Sequence, residues 1–177
     1  MKMNNDVWHD PKIDKVAWGS GEWNDEPDMV KWIDPVTQLL CVIARHPKTG
    51  HWNGYVVVKK NHPCYGLNEE DELLSKVRVH GGLTYSGKFP SEGMDRPMPT
   101  EDWCFGFDCA HFQDYCPGLE AELNSLIPDR GPRFPPATYK SMSFAKAQCE
   151  FLANDIKWIQ PKSLWTRLMQ WWNNWTN

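Results

Sequence analysis

One apolar stripe, carried by residues 139–159, constrains the fold of this chain more than any other feature. Its members recur at alternating steps of three and four, the spacing of one face of an α-helix, and they are Met142, Ala145, Cys149, Leu152, Ile156 and Ile159. A helix of this kind is stable mainly through the packing of its apolar face on another element. The sequence therefore predicts a helix over residues 139–159 that lies across a sheet.

Four apolar runs, each bounded by turn residues, predict the strands of that sheet, and they span residues 39–44, 52–58, 76–85 and 103–107. A Pro-Lys-Thr-Gly turn at residues 47–50 joins the first two runs into a β-hairpin. Gly81 and Gly82 interrupt the third run, which indicates a bulge or the close approach of another group. We expect an α+β fold with a mostly antiparallel sheet of four to five strands, the long helix on one face and a short C-terminal helix.

Three shorter segments complete the expected structure. Residues 69–75 and 119–127 predict short helices. Residues 18–34 predict irregular structure, whose carboxylates, among them Glu26 and Asp28, are either solvated or bind a cation.

The length of 177 residues suggests a single domain. We divide the chain into an N-terminal arm (1–17), an α+β domain (18–160) and a Trp-rich C-terminal helix (161–177). The net charge of −4 argues against binding of extended nucleic acid, which usually needs a basic face. The chain has no run approaching 18 apolar residues, so the sequence predicts no membrane span.

The cysteines and the N-terminus bear on location. The sequence contains six cysteines but no C-x-x-C spacing, and residues 1–5 lack the apolar run of a signal peptide. A chain of this length does not need disulfides for stability. We therefore expect reduced thiols and a cytoplasmic location.

Two motifs, at residues 79–85 and 103–114, carry the candidate chemistry. Asp108, His111 and Asp114 follow one another at steps of three, so that on a helical turn their side chains share a face. His80, delivered from a neighbouring strand, would complete a nitrogen and oxygen ligand set that suits Zn²⁺, Mn²⁺ or Fe²⁺. The cofactor predicted by this interpretation is a divalent metal ion.

A second interpretation of the same residues needs no metal. His80 and His111 would act as general acid and base, while Asp108 orients an imidazole and holds its tautomer. A third would use Cys109 as a nucleophile, although a Cys two residues from a His rarely has the geometry of a catalytic pair. In a purely structural interpretation, Asp108 caps a turn and His111 hydrogen-bonds into the core.

Residues around the two motifs are candidates for holding a ligand. Backbone N–H groups beside paired glycines can bind an anion, aromatic rings can stack on a base, and lysine can meet a phosphate. The predicted substrate-binding residues are Gly81, Gly82, Thr84, Tyr85, Lys88 and Trp103. A binding protein that sequesters a nucleotide-like molecule would need only these groups.

Several strings in the chain resemble a group of small proteins from tailed phages and prophages. They include Gly-Tyr-Val at residues 54–56, His-Gly-Gly-Leu-Thr at residues 80–84 and Gly-Phe-Asp-Cys-Ala-His at residues 106–111. The similarity extends over residues 23–159. It implies a phage setting, in which small accessory proteins often act on host defence, including its nucleotide signals.

The sequence and this resemblance together lead to one hypothesis and two alternatives. The hypothesis is a small phage hydrolase that acts in the host cytoplasm on a phosphorylated or nucleotide-like molecule, with catalytic residues His80, Asp108 and His111. The first alternative is a non-catalytic protein that sequesters such a molecule. The second is an interaction protein that contacts its partner, or a second copy of itself, through the Trp-rich segment 161–177.

Overall fold

The predicted hairpin forms the centre of the sheet in the computed structural model, which describes residues 6–90, 102–131 and 134–160. Strand β3 (Leu40–Arg45) pairs antiparallel with β4 (Trp52–Val58). The turn between them closes at Gly50, whose φ of 79° lies in the left-handed region that glycine adopts without strain. The prediction of a hairpin over residues 39–58 is thus confirmed.

Over the described residues the sheet has six antiparallel strands, where four to five were expected. The other strands are β1 (Asp6–Trp8), β2 (Met29–Ile33), β5 (Tyr85–Lys88) and β6 (Trp103–Asp108), and the strand order is β1-β2-β3-β4-β6-β5. Strand β2 lies inside the segment 18–34 that was expected to be irregular. The predicted strand over residues 76–85 is wrong, because only its last residue belongs to β5.

Two helices follow the sheet. Helix α1 (Pro117–Leu126) begins with a proline in its first turn. Helix α2 (Met142–Lys157) begins after Ser141, whose hydroxyl accepts the N–H of Phe144. A small parallel pair, β7 (Asp114–Tyr115) and β8 (Thr138–Tyr139), joins the segment before α1 to the segment before α2. Both helices match their predictions to within a few residues.

The predicted helix at residues 69–75 is a single 3₁₀ turn, Glu72–Leu74, capped by Asp71. The predicted C-terminal helix at residues 161–177 lies outside the described residues. Among the residues that the structure describes, no helix is both long enough and apolar enough to span a bilayer.

The apolar stripe of α2 packs on one face of the sheet. Ala145, Cys149, Leu152 and Ile156 are fully buried there against residues of the central strands such as Val56. A second, smaller cluster covers the opposite face, where Val42, Cys104 and Phe89 are buried with Tyr55 and Tyr85 beside them. The sheet is therefore buried on both faces. Among the described helices, only α2 covers the face that carries the larger cluster.

A buried arginine fixes the start of α2. The fully buried guanidinium of Arg45 lies 2.8 Å from Glu26 Oε2 and 3.2 Å from Asp28 Oδ1. Glu26 also accepts the backbone N–H of Met142 at 2.6 Å, and Tyr139 donates its hydroxyl to Glu26 at 2.6 Å. Glu26 and Asp28, which were expected to be solvated or to bind a cation, thus pair with Arg45 of the same chain.

Candidate functional site

The segment that carries His80 is pinned to helix α2. Val77 and Val79 pack against the main core, while the alternate residues Lys76 and Arg78 are exposed. This alternation is typical of an extended chain, so Lys76, Arg78 and His80 follow one another on the outer side. The backbone N–H of Arg78 donates to Asp155 Oδ2 at 2.9 Å, and that of His80 donates to Gln148 Oε1 at 2.8 Å. Side chains of α2 therefore accept the hydrogen bonds that a neighbouring strand would otherwise accept.

A tight turn follows His80 and makes room for His111. Gly81 and Gly82 have φ values of 68° and 89°, in the left-handed region that disfavours other residues. A Cβ atom on Gly81 would lie 1.8 Å from His111 Nε2. The imidazole of His111 thus lies directly against the backbone of Gly81, which only a glycine allows.

The end of β6 and the turn after it supply the other residues of the site. Asp108 Oδ1 accepts the N–H of Ala110 at 3.0 Å. Asp114 Oδ2 accepts the N–H of His111 at 3.0 Å, and the N–H of Asp114 returns a bond to the carbonyl of His111 at 2.9 Å. These local bonds fold residues 108–114 into a turn that brings two carboxylates and an imidazole together.

Four side chains meet at this point, and we refer to His80, Asp108, His111 and Asp114 as the His–Asp centre. His80 Nε2 lies 2.7 Å from Asp114 Oδ2. His111 Nδ1 lies 3.4 Å from the same oxygen and 3.5 Å from Asp108 Oδ1. The two imidazoles meet edge to face, with ring centroids 5.1 Å apart. The side chain of Asp114 is only 2% exposed, whereas both imidazoles are partly open to solvent.

The environment of Asp114 favours its ionised form. Burial acts to raise the pKa of this carboxyl, but hydrogen bonds from the His80 ring and the His111 backbone, together with the charges of His80 and Lys140, hold its pKa below 3.8. Lys140 Nζ lies 3.5 Å from Asp114 Oδ1, the oxygen that faces away from the imidazoles. Asp114 is therefore a carboxylate at neutral pH. Its Oδ1 meets the ammonium group of Lys140, and its Oδ2 meets the two imidazoles.

His80 also borders an open groove of about 640 Å³ between its own segment and helix α2. Lys76 and Arg78 line one side of the groove, and Gln148, Phe151 and Asp155 line the other. Phe151 is 60% exposed although it belongs to a helix that is otherwise packed on the sheet. The groove thus combines two cations, one carboxylate, an aromatic ring and one imidazole of the His–Asp centre, and we refer to it as the basic groove because its cations outnumber its carboxylate.

The predicted site residues do not all lie here. The structure brings together His80, Asp108, His111 and Asp114, with Gly81 and Gly82 in the adjoining turn. Thr84 follows that turn, and its backbone N–H bonds to the carbonyl of Gly106.

Tyr85, Lys88 and Trp103 lie elsewhere. Tyr85 packs on Tyr55 in the cluster on the opposite face of the sheet. Lys88 pairs with Trp103, five residues from Asp108 along β6, or about 16 Å at 3.3 Å per residue. The Trp103 indole donates to the carbonyl of Leu67 at 3.0 Å, which gives it a structural partner.

Helix α2 and the segment before it contribute to this site in a way that was not predicted from the sequence. Lys140, Gln148, Phe151 and Asp155 belong to α2 or to the segment that leads into it. The last three follow one another at steps of three and four, which is the pattern of a second helical face beside the apolar stripe. That pattern was available in the sequence, but nothing in it links this face to a histidine 68 residues away.

Cys109 does not have the character of a nucleophile in this structure. Its side chain is 1% exposed, and burial together with Asp114 and Asp108 raises the pKa of the thiol. The site therefore offers imidazoles, carboxylates and cations as its reactive groups.

The chain was compared with protein-family models, with curated proteins and with solved structures, and none of them matches it. Function is therefore inferred from the His–Asp centre and the basic groove.

Proposed function

We propose that this protein is a small hydrolase that acts on a phosphorylated, nucleotide-like molecule bound in the basic groove. Reaction takes place at the His–Asp centre, where His80 and His111 are the principal catalytic groups. The resemblance to phage proteins supports a host-defence signal in the host cytoplasm as the biological substrate.

The observation that carries this proposal is the position of His80. The same imidazole contacts Asp114 in the His–Asp centre and lines the groove beside Lys76 and Arg78. A phosphate attracted by these two cations is thereby brought next to a group that can move a proton or hold an activated water. The exposed ring of Phe151 supplies a surface on which a nucleobase can stack.

The residues of the centre suit hydrolysis of a phosphoester. Asp114 holds the ring of His80 through Nε2 and the turn of His111 through a backbone N–H. Asp114 thus fixes the ring of His80 and the backbone of His111, and the two ring centroids lie 5.1 Å apart, so one imidazole can activate a water while the other donates a proton. One imidazole takes a proton from the water as the water oxygen bonds to phosphorus, the P–O bond to the leaving group breaks, and the leaving oxygen receives a proton from the other imidazole.

The test is incubation of the purified protein with nucleotides, cyclic nucleotides and cyclic dinucleotides, each with and without EDTA. Free compounds and those released by heating the protein are then identified. We expect one compound to be converted to product, with turnover lowered at least ~100-fold in both His80→Ala and His111→Ala.

The matched control is His9→Ala, because His9 is an exposed histidine beside the edge strand β1. It should retain full turnover, and circular dichroism should show all three variants folded. Full turnover in the His80 and His111 variants would overturn the proposal. If a compound is depleted and is released intact on heating, the protein sequesters that compound without converting it. If no compound changes, the remaining alternative is an interaction protein.

A further inference from the structure

His111 Nδ1 is a buried polar atom that makes no hydrogen bond with good geometry to any described residue. Carboxylate oxygens of Asp108 and Asp114 lie near it, at 3.5 and 3.4 Å, and both distances exceed those of a strong charge-assisted hydrogen bond. A buried polar group without a bond costs free energy. A small cation between this nitrogen and the carboxylates would satisfy it without moving the backbone.

We infer that the His–Asp centre binds one divalent transition-metal ion through His80 Nε2, His111 Nδ1 and Asp114 Oδ2, with Asp108 Oδ1 as a fourth donor. Donor atoms of His80, His111 and Asp114 all lie within 4.8 Å of one another. An ion about 2.0–2.2 Å from each donor holds neighbouring donors roughly 3.0–3.6 Å apart. The observed spacings of 2.7, 3.4 and 3.5 Å are close to that range, and the remaining separation within the group of His80, His111 and Asp114 is at most 4.8 Å, so side-chain movements bring the donors into coordination.

Charge and secondary contacts favour the same conclusion. The centre contains two carboxylates, while Lys140 is the cation that contacts Asp114 among the described residues. Lys140 meets Oδ1 and leaves Oδ2 directed at the imidazoles, and the His111 N–H fixes the orientation of Oδ2. Metal-binding carboxylates are commonly oriented by such contacts.

The donor types indicate the class of ion. Two imidazole nitrogens with carboxylate oxygens suit Zn²⁺, Mn²⁺ or Fe²⁺, whereas Ca²⁺ and Mg²⁺ prefer oxygen donors. Coordination through His80 Nε2 needs the lone pair on that nitrogen, so the ring proton moves to Nδ1. The hydrogen bond to Asp114 in the metal-free protein instead carries the proton on Nε2.

Metal binding itself is independent of the hydrolase activity, but the catalytic role of the ion rests on the proposed function. Such an ion would lower the pKa of a bound water toward neutral pH and so would supply a nucleophile. Since His80 lines the basic groove, an ion held by His80 would lie at the border of that groove.

The experiment uses the full-length chain, freed of metal by chelation and then titrated with Zn²⁺ and, separately, Co²⁺. Calorimetry and metal analysis give affinity and stoichiometry, and the Co²⁺ absorption spectrum reports the donors. All six cysteines are buried, which removes exposed thiols as competing zinc ligands. Nitrogen NMR of the His80 ring reports which nitrogen carries the proton.

We expect one ion per chain, with affinity lowered at least ~100-fold in His111→Ala and at least tenfold in Asp108→Asn. The control His9→Ala should bind as the unaltered protein does. Binding that is absent, or equal in His111→Ala and His9→Ala, would overturn the inference. If no metal is bound and turnover persists, the metal site is disproved and the proposed hydrolase activity is retained. If metal is bound and no compound is turned over, the hydrolase activity is disproved and the metal site is retained.

Discussion

His111 lies against Gly81 so closely that a single methyl group between them would come 1.8 Å from Nε2. The two residues are 30 positions apart, one in the turn after the pinned segment and the other in the turn after β6. Their contact sets the distance between the two halves of the His–Asp centre.

Gly81→Ala should therefore displace the His111 ring and separate its Nδ1 from Asp108 and Asp114. We expect zinc affinity and turnover to fall at least tenfold, since a misplaced group is costly in a preorganised site. The free energy of unfolding should also fall, by about 1–2 kcal/mol for the left-handed conformation. Calorimetric titration, kinetics and urea denaturation measure the three effects.

Gly82→Ala is the matched control, because Gly82 has a φ of 89° and an added Cβ would meet nothing within 4 Å. It should lose stability through the same backbone strain but keep zinc affinity and turnover. Equal losses of function in the two variants would show that the contact with His111 is unimportant.

The basic groove leads to a second prediction. Arg78→Ala and Lys76→Ala should each raise KM roughly tenfold, the size of one charge-assisted contact, with little change in kcat. The effect should shrink at high salt because both side chains are exposed. Lys59→Ala removes an exposed lysine from the end of β4 and serves as the control; an equal rise in its KM would point to net charge alone.

Arg45 supports the start of α2 and should be essential for stability. Arg45→Met removes the fully buried cation that pairs with Glu26 and leaves Asp28 with Lys15 as its remaining ion pair, so the free energy of unfolding should fall by about 3–5 kcal/mol. Urea denaturation measures the loss. Lys48→Met breaks the exposed pair with Glu122 and should cost less than about 1 kcal/mol; comparable losses would contradict the role of burial.

His51 should make stability depend on pH. Burial, and then the charge of His46, lower the pKa of His51 from 6.5 to about 4, although nearby carboxylates act in the opposite direction. The folded state therefore binds fewer protons than the unfolded state between these two values. Stability from this residue is complete above pH 6.5 and declines as the pH falls toward 4, by an amount on the order of 3 kcal/mol.

His51→Asn should flatten that decline, since Asn can keep an acceptor near the Thr49 hydroxyl, which lies 2.8 Å from His51 Nδ1. Unfolding free energies measured from pH 7 to pH 4 test this. Charged and titratable groups around His51 remain in the variant, and they are His46, Lys48, Asp108 and Asp114. His9→Asn is the control, and an unchanged slope in His51→Asn would contradict the prediction.

Apolar runs joined by a turn were sufficient to predict the central hairpin, because its strands are buried on both faces of the sheet. Periodicity was sufficient to predict α2, because that helix buries one apolar face. Strand β2 was not predicted because it is short and lies directly after an acidic loop, whose Glu26 pairs with Arg45. The strand expected over residues 76–85 fails because the left-handed turn at Gly81 and Gly82 ends the extended segment, which then bonds to side chains of α2 instead of a strand.

The sequence analysis named the four residues of the His–Asp centre but not what surrounds them. Steps of three between Asp108, His111 and Asp114 are local and therefore visible in a sequence. The contacts of Lys140 with Asp114 and of Gln148 with His80 depend on how α2 lies across the sheet. Trp103 belongs to one of the motifs and Lys88 is close to the other along the chain, yet both lie at the end of β6 opposite to Asp108.

The two backbone hydrogen bonds between the His80 segment and α2 have a consequence for tolerance to substitution. Gln148 and Asp155 look like ordinary solvent-facing helix positions, which most proteins vary freely. Here each holds a main-chain N–H of the segment that carries a reactive imidazole. A saturation screen scored on function should find these two positions intolerant, and the same screen scored on abundance should find them nearly neutral.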